Sequence, residues 1–191
     1  MALIGLNSLY YVKLTSDDET GVVYDTDVKR MAKAIEANIK PNVSSDTLYA
    51  DDGPAEVNET MGEIEVELNI DDLSTEVYAD LLGKTVNTDG VVEDSSDDRA
   101  PYVAIAFRSP HSKGGDQYVW LYKGKFTQPE EARKTKGEAV EYQTPTIVGK
   151  FVKRDFDNKW RAIANSTDEG IDQTKIDNWF KEVYTETVAG A

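Results

Sequence analysis

Cysteine is absent from this 191-residue chain, and histidine occurs once, at position 111. Without thiols there is no disulfide framework, no thiolate nucleophile and no cysteine metal site, and the chain suits a reducing compartment. No apolar run approaches the roughly 20 residues that a membrane-spanning helix needs. The opening stretch, MALIGLNSLYYVKL, has neither a basic start nor a long apolar centre, so it is expected not to act as a secretory signal. Basic residues are also few: 21 against 36 acidic ones, a formal net charge of −15. Such a surface has no general attraction for nucleic acid or anionic lipid, so any relation to DNA would be tolerance rather than binding.

The motifs of common catalytic sites are missing too. The chain has no GxSxG elbow, no GxxxxGKS/T phosphate loop and no GxGxxG opening a helix. A Ser-His-Asp arrangement needs a histidine, and His111 sits in SPHSKGG, whose Pro, Ser and Gly content predicts an exposed turn. It is assigned no role. Aligning Asn87, Asp89 and Gly90 with an EF-hand loop puts Thr85 first and Ser96 last, where carboxylates are required. Asp94 to Asp98 leaves a weaker, irregular calcium site as the alternative to a solvated loop, and the solvated loop is preferred. Carboxylate pairs carry no signal in a chain with 36 acids. No enzyme, cofactor or metal site is expected.

What is present is β pattern. Hydrophobic residues at 39% and charged residues at 30% fit one ordered domain over residues 1–191. Leu9 to Leu14 reads as a first strand ending at the turn formers Ser16, Asp17, Asp18 and Gly21. In Ala34 to Val43, Ile35, Ala37 and Ile39 alternate with Glu36, Asn38 and Lys40, with Pro41 marking an edge or bulge. Glu63 to Ile70 alternates most clearly, with Ile64, Val66, Leu68 and Ile70 on one face and Glu63, Glu65 and Glu67 on the other. Between these two strands, Ser44 to Gly62 reads as a long polar loop. Tyr102 to Phe107 and Tyr118 to Tyr122 read as a hairpin, Glu138 to Lys153 as one long strand with a break near Pro145, and Lys159 to Ala164 as a last short strand.

Two segments have helical spacing. Leu73, Val77, Tyr78, Leu81 and Leu82 follow a cap at Asp72 or Ser74 and precede Gly83, suited to the left-handed position after a helix. Ile176, Trp179, Phe180, Val183 and Tyr184 make an amphipathic helix over about 173–185 that packs on something apolar. The composite is mainly β, a β-sandwich or partial barrel of two antiparallel sheets, with a short side helix and a C-terminal amphipathic helix.

Five segments, in order, resemble the major tail proteins of siphophages infecting Gram-positive bacteria. They are GLNSLYYVKL (Gly5 to Leu14), TLYADDG (Thr47 to Gly53), NIDDLSTEVYADLLG (Asn69 to Gly83), YVWLYKGKF (Tyr118 to Phe126) and EAVEYQTPTIVGKF (Glu138 to Phe151). The resemblance implies a phage tail-tube fold assembled as hexameric rings that stack into a DNA-conducting tube. It implies as partners further copies of the chain, a tape-measure protein in the lumen, and tail terminator and distal tail proteins at the tube ends. The location implied is the phage tail of the virion, after assembly in the host cytoplasm. Within that frame Leu48, Tyr49, Asp51 and Asp52 are expected to make inter-ring loop contacts, and Glu36, Glu63, Glu65 and Glu67 to face the lumen. The chain departs from the family in its higher acidity and short tail, Thr185 to Ala191, and no appended immunoglobulin-like domain is expected. The alternative is a carbohydrate- or protein-binding β-sandwich module, with Trp120, Trp160 or tyrosines stacking on sugar rings.

Overall fold

A computed structural model of the chain describes residues 2–50, 53–130, 135 and 143–186. Nine strands and two short helices are formed among them: β1 (Asn7–Asp18), β2 (Gly21–Tyr24), β3 (Lys29–Ala32), β4 (Ala34–Ala50), β5 (Gly53–Ile70), α1 (Thr75–Leu82), β6 (Val103–Pro110), β7 (Asp116–Phe126), β8 (Thr146–Val152), β9 (Arg161–Asn165) and α2 (Gln173–Asp177). Hydrogen bonds join the strands in the order β2-β1-β6-β7-β8-β5-β4, with β3 also on β1 and β9 on β7. Every pairing is antiparallel. The fold is therefore mainly β with two helices, and its two faces belong to one curled, hydrogen-bonded path.

The alternation in β5 explains where the core lies. Ile64, Val66, Leu68 and Ile70 are fully buried. They pack with Leu9 and Tyr11 of β1, Val103, Ile105 and Phe107 of β6, Leu121 of β7 and Ile147 and Phe151 of β8. Each such aliphatic side chain contributes about 1.5–3 kcal/mol through removal from water. Helix α1 closes this core with Val77, Leu81 and Leu82. Ser74 is its cap, accepting from Val77 N–H at 3.4 Å. Gly83 ends it at φ 69°, where an added Cβ would lie 2.0 Å from the Arg99 carbonyl oxygen. Only glycine fits such a position.

A second apolar cluster lies on the opposite face of β1, β6 and β7. Val12, Ala104, Ala106, Tyr118, Trp120 and Tyr122 meet Ile176, Trp179 and Val183 there. Ala106 stands opposite Trp120 in the β6–β7 register, and the small residue leaves room for the large one.

Several sequence expectations change. Ser44 to Gly62 is not a loop: β4 and β5 continue through it as a long hairpin, pairing Ser44 with Thr60, Asp46 with Asn58 and Ala50 with Gly53. Its polar composition hides the strands because each arm is held by backbone hydrogen bonds to the other, without a buried face. The expected C-terminal helix over 173–185 is also shorter, since α2 ends at Asp177. Beyond it the chain turns, and the Trp179 carbonyl accepts from the Trp120 indole instead of from an N–H one helical turn ahead. Ile176, Trp179 and Val183 are nevertheless buried, and the half-buried Phe180 stacks on Tyr10 at 4.9 Å. Strand β8 begins only at Thr146, and residues 138–142 of the longer expected strand lie outside the described residues. The first strand runs on to Asp18 through a bulge between Leu14 and Ser16, and β2 and β3 are additional.

Candidate assembly surface

The β4–β5 hairpin sets the geometry. Up to Pro41 and Ile64 it lies in the sheet, with β8 on its other side. Beyond that point its described side chains are exposed on both faces, Leu48 at 61% and Tyr49 at 70% among them. The expected contact residues Leu48 and Tyr49 therefore sit near the tip of a projecting arm, while Asp51 and Asp52 lie outside the described residues. An isolated two-stranded hairpin is marginal in water, so an arm this long gains most of its order from packing against something else.

The four expected glutamates share one open face. Glu36 lies on β4 and Glu63, Glu65 and Glu67 on β5, with Glu36 paired to Asn69 and Glu67 to Asn38 across the strands. The register also brings three lysines onto the same face: Lys40 opposite Glu65, Lys150 of β8 on its other side, and Lys125 of β7 opposite Lys150. Lys40 Nζ lies 3.2 Å from Glu67 and 3.4 Å from Glu65, and Lys150 Nζ lies 2.7 Å from Glu63. Hydrogen bonds to Glu67 and then Glu65 push the Lys40 pKa up, and the bond to Glu63 does the same for Lys150. Both groups are exposed, so these pairs add little stability. The face is thus a lattice of alternating charge rather than a wall of carboxylates. Sequence reasoning missed Lys125 and Lys150 on this face because β7 and β8 are far from β4 and β5 in the chain.

Buried charges elsewhere tie elements together. Asp17 is 3% exposed and accepts from Lys123 Nζ at 2.7 Å and from the N–H groups of Asp155 and Phe156. Burial raises its pKa, but these bonds outweigh that and hold the carboxyl below its ordinary range. Asp80 of α1 accepts from Tyr11, Lys13 and Lys29, which fixes the helix to β1 and β3. There too, hydrogen bonds overcome the opposing effect of burial and lower the pKa.

The remaining candidates can be placed directly. Lys84 Nζ lies 2.5 Å from Asp94 and 3.8 Å from Asp98, so an ammonium group already occupies the position considered for calcium. Among the described residues no group of three or more His, Asp or Glu side chains is arranged to hold a metal. His111 is half-buried rather than exposed: its Nε2 lies 3.3 Å from Asn165 Oδ1, and it bridges to Leu3 of the N-terminal segment. Trp120 is fully buried, and Trp160 is covered by the Arg161 guanidinium at 4.3 Å, so neither offers an open face for a sugar ring.

The curled mainly-β sheet and the side helix after β5 occur in the order that the resembling segments lead one to expect, with a paired hairpin where the long loop was expected. A family described as phage tail tube protein matches residues 9–189. The chain belongs to the phage tail tube protein family. No curated protein matches the chain. As a tail tube family member it has a structural role in a phage tail, and no helix among its described residues is long and apolar enough to cross a membrane.

Proposed function

We propose that this tail tube protein self-assembles into hexameric rings that stack into the hollow tail of a siphophage, through which DNA passes into the host. The observation that carries this reading is the β4–β5 hairpin, a long two-stranded arm with exposed apolar residues and no cover from its own chain among the described residues. Such an arm is understandable when neighbouring copies supply the missing cover. Free sheet edges at β2 and β4 are further surfaces for pairing between subunits. The protein acts by assembly, without catalysis or cofactor. Its partners are further copies, a tape-measure protein in the lumen, and terminator and distal tail proteins at the ends; assembly takes place in the host cytoplasm.

The Glu36, Glu63, Glu65 and Glu67 face is set toward the lumen in this reading. Neither helix packs on it: α1 joins the inner core, and the C-terminal segment covers β1, β6 and β7. The interleaved Lys40, Lys125 and Lys150 change the expected physical effect from repulsion to near-neutrality. Lys40 and Lys150 already have carboxylate partners and Lys125 lies over the Tyr102 ring, so the wall offers few free cations to phosphates, and DNA keeps its counterions and slides. Screening confines the residual field to about 8–10 Å at moderate salt.

The test uses Glu65→Cys in a chain with no native cysteine. Sedimented tubes are exposed to a maleimide on a carrier too large to enter the bore. Labelling only after dissociation agrees with the proposal; prompt, stoichiometric labelling of intact tubes places the face outside.

A further inference from the structure

The projecting hairpin has two unlike faces. Register places Val43, Ser45 and Thr47 opposite Met61, Glu59 and Val57. One face therefore carries Val43, Val57 and Met61 around a single carboxylate, Glu59. Val43 is 52%, Val57 59% and Met61 42% exposed. Glu59 has no cation within ion-pair distance among the described residues.

Elsewhere on the chain lies an apolar-walled groove of about 420 Å³. It is bordered by Leu6 of the N-terminal segment, Ile35, Glu36 and Ile39 of β4, Phe107 of β6, and Arg161 and Ile163 of β9. Ile35 is 52% and Ile163 45% exposed. Strands β4 and β9, on either side, are edges of the sheet. On β9, the residues that bond to β7 are in step with Trp160, whose carbonyl accepts from Tyr122. The backbone groups of Arg161 and Ile163 consequently point to the open side. Among the described residues no strand of the chain closes this gap.

The groove carries one cation, Arg161 of β9, and one anion, Glu36 of β4, whose carboxylate accepts from the Asn38 side-chain amide. The Arg161 guanidinium rests on the Trp160 ring and has no carboxylate partner among the described residues, and partial burial pushes its pKa down. A cation set among apolar side chains matches an anion set among apolar side chains.

We propose that this groove receives the β4–β5 hairpin of a second copy of the chain, with Val43, Val57 and Met61 of one copy against Ile35, Ile39 and Ile163 of the next, and Glu59 paired with Arg161. Because donor arm and acceptor groove are different surfaces of one chain, the contact is head-to-tail and repeats, giving rings or filaments rather than a closed two-fold dimer. The inference rests on the tube-forming function proposed above and names the surface that would carry it.

Charge reversal tests it, with assembly read by sedimentation and electron microscopy of the full chain. Glu59→Arg and Arg161→Glu should each raise the concentration needed for assembly by about tenfold or more, and the double variant should return it toward the wild-type value. Both residues are exposed, and an unchanged circular dichroism melt confirms that each variant folds. If each single variant assembles like the wild type, or if the double variant is no better than the singles, this groove does not receive the hairpin, while the proposed tube function stands. If the wild type forms no assembly at any concentration, the tube function fails and the inference with it.

Discussion

The indole N–H of Trp120 donates to the backbone carbonyl of Trp179 across 3.0 Å, linking the centre of β7 to the C-terminal segment 59 residues away. Trp179 is 3% exposed and stacks on Tyr184 with ring centroids 5.4 Å apart. Trp179→Ala should destabilise the monomer by about 3–5 kcal/mol. Denaturant unfolding of the monomer measures this, and folding should fail before assembly does. A fully stable variant that only loses polymerisation would make the segment an interface element.

Asp17 should dominate part of the acid limb of stability. Its carboxyl is held below the ordinary range in the folded protein, so its stabilisation is complete above the unfolded value near pH 4 and is lost as pH falls through the folded value. Asp17→Asn leaves Lys123, itself 9% exposed, with only the more exposed Asp155 as a carboxylate partner. The loss expected at pH 7 is about 3–5 kcal/mol. Urea midpoints from pH 7 to pH 2 should show the gap from wild type narrowing below about pH 4.

Gly124 makes room for an aromatic pair. A Cβ there would lie 2.4 Å from the Phe151 ring, which meets Phe126 edge-on at 5.9 Å. Gly124→Ala should cost about 1–3 kcal/mol through forced repacking. Combining it with Phe151→Leu should cost less than the sum of the two single changes, a coupling that a thermodynamic cycle measures.

The outer hairpin should change its dynamics on assembly. Residues 44–50 and 53–62 pair only with each other, so their amides should exchange quickly in the monomer. In sedimented tubes they should be protected. Equal, strong protection in both states would show that the arm needs no neighbour.

These residues also show what could be read in advance. Glu63 to Ile70 was legible because one face is dry and the other wet, which writes the strand period into the sequence. The Ser74 cap and Gly83 were legible because local backbone geometry demands those residue types. The outer hairpin was not legible: Ser44, Ser45, Asp46 and Thr47 bury nothing, and their strand is held by the backbone of the partner arm. Nor was the mixed charge of the glutamate face, since Lys125, Lys150, Glu65 and Lys40 become neighbours only through the β7-β8-β5-β4 order.

Negative-stain electron microscopy of the purified full chain over rising concentration tests the central claim most directly. The account predicts hollow tubes with a regular axial repeat and six-fold rings in end-on views, appearing above a threshold concentration. Monodisperse particles of single-subunit size at every concentration, under solution conditions in which the chain is folded, would contradict it.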